Sequence, residues 1–156
     1  MTNTRASLFI AKWISLGFGS GLAPKAPGTF GTLVGIPFFL LFADFSLFNY
    51  FLITLVFLLI GIWASQVYSD HLGVHDHGSI VWDEVVGYLI TMIASPPQWQ
   101  WIIFGFVVFR LFDIWKPWPI RLLDKHVHGG VGIMIDDVLA GVYAAIVLLA
   151  TQQMFS

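Results

Sequence analysis

Apolar positions dominate the chain in five runs, at residues 32–43, 47–64, 85–94, 99–115 and 138–151, and nearly all of the charge lies between them. Residues 80–82 extend the third run past two adjacent acids, and the fourth holds Arg110 and Asp113. Only 47–64 approaches the roughly 20 residues of a clean membrane-crossing helix. The rest are short or interrupted near one end, as expected of helices whose ends carry polar groups at a membrane surface. Barrel-type alternation is absent from the sequence and lipid cannot satisfy an open backbone, so the runs are predicted as helices. Ahead of them, Phe9, Ile10, Trp13, Ile14 and Leu16 share one helical arc, while Arg5, Lys12 and Ser15 occupy the other. That spacing predicts either a helix lying in the membrane interface or an ordinary surface helix packed on the bundle. The expected fold is all-α: a polytopic membrane helical bundle with about five membrane segments plus an N-terminal interfacial helix, in a single domain over 1–156.

Charge orders these segments. If the basic N-terminal region is cytoplasmic, five crossings place 65–84 and 116–137 on the same side, with 44–46, 95–98 and the C-terminal tail opposite. Every Lys and Arg then falls on one face, and so does every acid except Asp44. Composition agrees with lipid as the solvent. Of 156 residues, 58% are hydrophobic and only 10% charged, and the mean hydropathy is +0.84, whereas soluble domains run near 45–50% apolar and about 25% charged. Seven Lys+Arg against nine Asp+Glu leave a net charge of −2 and no basic field, which excludes a nucleic-acid partner. The lack of cysteine excludes disulfides, thiolate metal sites and a Cys nucleophile. No cleavable signal peptide is expected, because two cations interrupt the first apolar stretch.

Two apolar helices are each headed by paired acids, Asp83-Glu84 and Asp136-Asp137. Helix capping and dipole stabilisation need one acid each. Two acids bordering a hydrophobic slab exceed that need, and ionisable groups at such depth are costly unless they have a task. Asp83 neighbours Gly87 and Asp137 neighbours Gly141 at i+4, small residues expected to leave room for an ion or a phosphate. On the fourth segment, Arg110 and Asp113 share a face at i, i+3, and Pro117 should break the helix at Lys116. These residues read either as an internal ion pair with a snorkelling lysine, or as phosphate ligands Arg110 and Lys116 beside a metal-binding Asp113. Residues 17–32 form a glycine- and proline-rich loop running into a helix, a place where backbone amides, Lys25, Thr29 and Thr32 could meet an anion. A structural turn serves as well. His71, His75, His77, His126 and His128 lie among loop residues and read as solvated rather than as zinc ligands. Asp70 and Asp124 read as solvated or capping residues, and Asp76 stays ambiguous. The acids Asp83, Glu84, Asp113, Asp136 and Asp137 offer oxygen only, a donor set that selects Mg²⁺ over softer metals.

Four of these segments, Ala-Pro-Gly-Thr-Phe-Gly-Thr at 26–32, Ile-Val-Trp-Asp-Glu-Val-Val-Gly at 80–87, Phe-Arg-Leu-Phe-Asp-Ile-Trp-Lys-Pro-Trp-Pro-Ile at 109–120 and Gly-Gly-Val-Gly-Ile-Met-Ile-Asp-Asp-Val-Leu-Ala-Gly at 129–141, resemble phosphatidylglycerophosphatase A in order and spacing. The resemblance implies a Mg²⁺-dependent enzyme of the bacterial inner membrane, and the charge placement puts its site on the cytoplasmic face. Its expected substrate is the phospholipid phosphatidylglycerophosphate, hydrolysed to phosphatidylglycerol and phosphate in phospholipid biosynthesis. By motif match, the five acids correspond to the family's acidic positions and Arg110 and Lys116 to its basic ones. Which acids bind metal rests on chemistry alone. The competing class is a transporter or ion-binding membrane protein that uses the same acids without catalysis.

Overall fold

The computed structural model describes residues 4–156; residues 1–3 of the expected domain lie outside the described residues. It is all-helical: α1 (Arg5–Ser15), α2 (Pro27–Phe42), α3 (Leu47–Leu72), α4 (Trp82–Thr91), α5 (Trp99–Trp115), α6 (Ile120–His126) and α7 (Gly129–Met154), with a 3₁₀ turn at Ser20–Leu22. Of these, α3 and α7 are long and apolar enough to cross a membrane, and α2 is a shorter apolar helix. The flank of α3 is not that of a core helix in a water-soluble protein. Leu47, Phe48, Phe51, Leu55, Leu59 and Trp63 are all exposed along it, a continuous apolar surface of the kind that seeks lipid or a partner.

At the centre stands α4. Trp82, Val85, Val86, Tyr88 and Leu89 are buried on all sides by α2, α3, α5 and α7. Ten residues rise about 15 Å, half of a hydrocarbon core of about 30 Å. The third apolar run is therefore helical along only part of its path. Residues 79–81 enter the bundle as non-helical chain, and Ile80 and Val81 are buried there. Such backbone survives away from water only when its polar groups find partners. The Val81 amide donates to the Ser15 carbonyl at 2.8 Å, and the Trp82 indole donates to the Phe57 carbonyl at 3.0 Å. This descent starts α4 deep in the protein and carries Asp83 and Glu84 inward with it.

The polar segments do collect at one end. Gln66 accepts from the Gly130 amide at 2.7 Å, the His75 and His128 rings pack edge to face at 5.4 Å, and the start of α2 presses on Glu84 and Arg110. At the other end, Gln152 donates to Ser95 at 2.9 Å, linking the end of α7 to the α4–α5 connection.

Three expectations change. Around α1 the predicted apolar arc is split: Ile14 and Leu16 pack inward beside the small, buried Ala11 and Ser15, while Phe9, Ile10 and Trp13 point outward. Ser15 thus belongs to the buried face, because small side chains let the helix axes approach. Second, α7 begins at Gly129, so Asp136 and Asp137 lie two turns inside the helix and cannot cap it. Third, Gly87 and Gly141 do not leave a space for a ligand. A Cβ on Gly141 would lie 2.5 Å from the Gly87 carbonyl oxygen, and one on Gly87 would lie 2.9 Å from the carbonyl of Asp137. The room is filled by the facing backbone and, at Gly87, by the Phe109 ring, in the manner of small-residue crossings between membrane helices.

A candidate polyvalent-cation and phosphate site

The crossing of α4 and α7 at these glycines sets their acids face to face. One carboxylate oxygen from each of Asp83, Asp136 and Asp137 lies within 4.8 Å of the others. A second triad, Glu84, Asp113 and Asp137, meets the same limit. Asp137 belongs to both, so three helices deliver five carboxylates to two adjoining positions. Asp83, Asp113, Asp136 and Asp137 are buried, and Glu84 is nearly so.

Two cations hold the edges. Arg110 pairs with Asp113 one turn further along α5 and lies 3.8 Å from Glu84. Lys116 follows the end of α5 in a left-handed conformation (φ 50°), the break expected from Pro117. From there its ammonium reaches Asp136 at 2.8 Å and Asp124 at 3.1 Å. Burial pulls the Lys116 pKa down, but the hydrogen bonds and charges of Asp136 and Asp124 outweigh it and hold the group above the ordinary lysine range. Lys116 is therefore a permanent cation at physiological pH. Against five carboxylates, these two cations leave a clear excess of negative charge.

That excess has a structural signature. Asp83 Oδ1, Glu84 Oε2, Asp136 Oδ1 and Asp137 Oδ2 are buried with no hydrogen-bond partner among the described residues, and so is Arg110 Nε. Orphaned acceptors of this kind are expensive away from water. Their pooling at one place fits a hard divalent cation, which accepts several carboxylate oxygens at once.

Other expected residues lie apart from these contacts. Thr32 is buried but its hydroxyl donates to the Gly28 carbonyl within its own helix at 2.8 Å. Lys25 is exposed, Thr29 is half-buried, and neither makes a side-chain hydrogen bond or ion pair among the described residues. The loop comes closest at Gly28, where an added Cβ would meet Glu84 Oε1 at 2.6 Å and Arg110 Nη1 at 3.0 Å. The histidines are not part of either triad. His77 faces Ser79 and His126 faces the Leu122 carbonyl. Asp70, exposed, accepts from Gln66. Asp124 had no sequence signal beyond its charge, yet it completes the grip on Lys116; the two are eight residues apart, and their contact is visible only in the fold.

Fold and site together define an all-helical protein with candidate membrane spans, built around a buried carboxylate centre edged by two cations. The comparisons with known proteins narrow the class. The family model for phosphatidylglycerophosphatase A matches residues 13–152. Phosphatidylglycerophosphatase A of Escherichia coli is 51% identical over 136 residues, covering 86% of this chain and 79% of the relative. That of Haemophilus influenzae is 49% identical over 141 residues, covering 89% and 86%. A Bacteroides thetaiotaomicron protein, provisionally named a phosphatidylinositol-3-phosphatase, is 40% identical over 148 residues, covering 90% and 92%. No solved structure matches the chain. The chain belongs to the phosphatidylglycerophosphatase A family, and is a phosphatase by that membership.

Proposed function

We propose that this protein hydrolyses phosphatidylglycerophosphate to phosphatidylglycerol and inorganic phosphate, with Mg²⁺ held by Asp83, Glu84, Asp113, Asp136 and Asp137. The observation that carries the reading is the pair of carboxylate triads sharing Asp137, with four buried carboxylate oxygens left unpartnered. Two adjoining positions of this kind suit displacement at phosphorus, where attacking and leaving oxygens both need stabilising. When bound, the cation supplies electrophilic polarisation of the phosphoryl oxygens and lowers the pKa of a coordinated water.

The chain's own groups account for the rest. Arg110 and Lys116 border the cluster and present positive charge to the equatorial oxygens of the phosphoryl group, where charge redistributes as the bond to the lipid breaks. Asp113 and Glu84 hold the Arg110 guanidinium, and Asp124 with Asp136 holds the Lys116 ammonium, so neither cation has to be ordered during the reaction. Water attacks phosphorus, the ester bond to glycerol breaks, and the lipid oxygen leaves with a proton. The start of α2, packed at Gly28 against Glu84 and Arg110, walls one side of the site.

The protein is read as a multi-pass protein of the bacterial inner membrane, with α2, α3, α5 and α7 crossing and α4 forming the buried half of a fifth passage. The exposed apolar flank of α3 and the collection of polar segments at one end support this arrangement. The positive-inside rule makes that end cytoplasmic. A transport role is not favoured, because the acids form one convergent cluster rather than a series along a path.

Purified protein in neutral detergent is expected to release phosphate from phosphatidylglycerophosphate with Mg²⁺ and to stop when EDTA is added. Undiminished release in EDTA would contradict the cation's role, and release only from phosphatidylinositol 3-phosphate would contradict the substrate.

A further inference from the structure

A second feature adjoins the carboxylate cluster. Between the end of α5 and α6 lies an open groove of about 440 Å³. Its walls include Lys116, Arg121 and Lys125, together with Trp115, Trp118 and Leu122. Lys116 belongs to both places, since its ammonium binds Asp136 and the residue also lines the groove. Arg121 and Lys125 are one helical turn apart on α6 and so project on the same side. Both are exposed. Neither forms an ion pair among the described residues; Arg121 makes one bond, from Nη2 to the Trp115 carbonyl at 3.3 Å, and the rest of its guanidinium stays available. The two tryptophans are among the most exposed aromatic residues of the protein, at 58% and 80%. Amphipathic rings so placed mark the level where headgroups meet acyl chains.

This combination is unlike the catalytic cluster. It is cationic rather than acidic, open rather than buried, and continuous with lipid-facing surface. The substrate assigned under the proposed function has a matching asymmetry. It carries a terminal phosphomonoester, which is hydrolysed, and an internal phosphodiester one glycerol away, which is not. The diester is a permanent monoanion, flanked by the glycerol that bears the acyl chains. With the monoester at the carboxylate cluster beyond Lys116, the diester falls on the Lys116 side of that cluster, where the groove begins.

We propose that the groove is the subsite for the internal phosphodiester, with Arg121 and Lys125 as its specificity-determining ligands and Trp115 and Trp118 seating the adjoining glycerol and first acyl methylenes. Guanidinium and ammonium groups suit this role, being donors without acceptor capacity that form short charge-assisted bonds to phosphate oxygens. The subsite rests on the phosphatase reading, but its residues have no part in bond breaking, so the two can fail separately.

The test is the double variant Arg121→Gln/Lys125→Gln, assayed in neutral detergent micelles free of other anionic lipid. Both positions are on the surface, and a melting curve matched to the wild type establishes the fold. The KM for phosphatidylglycerophosphate is expected to rise at least about tenfold, the worth of one charge-assisted contact, with kcat moving far less. Inhibition by phosphatidylglycerol, which carries the diester alone, should weaken in parallel, while inhibition by inorganic phosphate, which reports the carboxylate site, should not. An unchanged KM in these micelles would overturn the subsite, and would instead be the result if the two cations only hold the protein to anionic bilayers. Equal weakening of both inhibitors would overturn it too. A wild-type protein that releases no phosphate from this lipid would refute the hydrolase reading itself, whatever the variant does.

Discussion

Asp137 is the residue on which the two carboxylate triads overlap, and its position predicts how the acids differ in consequence. Asp137→Asn disturbs both positions, so hydrolysis of phosphatidylglycerophosphate should fall by more than about a hundredfold, on the scale of losing a preorganised electrostatic contact. Asp83→Asn, which touches one triad, should also lose about a hundredfold but be partly recovered by raising Mg²⁺. Steady-state rates across a Mg²⁺ titration check this, and near-normal turnover in both variants would remove the cation account. At this scale the sequence was informative about which acids come together. Paired carboxylates at the edge of apolar runs have no inexpensive structural explanation, and all five converge. It was uninformative about Asp124, whose role depends on Lys116 turning back under a left-handed backbone. It did not show that the Thr32 hydroxyl donates within its own helix, to the Gly28 carbonyl. Glycine-rich loops look alike whether they bind an anion or only pack closely.

Between elements, the decisive contact is the α4–α7 crossing. Gly87 and Gly141 let the two backbones meet, and this distance sets the separation of Asp83 from Asp136 and Asp137. Replacing Gly141 by Leu would push the helices apart at a site with no space for a side chain, costing about 1–3 kcal/mol or more by overpacking. The expected result is a lower melting temperature together with weakened metal affinity; full retention of both would mean that the crossing does not position the site. Helix existence was legible from the apolar runs, because lipid leaves few alternatives to a helix. Helix limits were not. α3 continues to Leu72 and α7 starts at Gly129, since buried polar residues such as Ser65 and Ser69 can end a hydrophobic run without ending a helix. α4 is shorter than its run in part because non-helical chain at 79–81 is stabilised by a tertiary bond from the Val81 amide to the Ser15 carbonyl that no local pattern encodes. α6 was missed because seven residues carry too weak a periodicity.

For the whole molecule, the separation of an apolar flank from one polar end was readable from charge placement alone, and it is what organises the protein. Five acids and two cations, distant in sequence, lie together, and burying opposite charges in contact costs less than burying each singly. The central claim is thus that the carboxylate centre is a divalent-cation site. Its most direct test is equilibrium binding of Mn²⁺, a spectroscopically visible substitute for Mg²⁺, to purified protein by electron paramagnetic resonance. Saturable binding that competes with Mg²⁺ and is abolished by Asp137→Asn, in a variant that still melts cooperatively, is the predicted result. Equal Mn²⁺ binding by the wild type and the Asp137→Asn variant, or none by an active wild type, would contradict it.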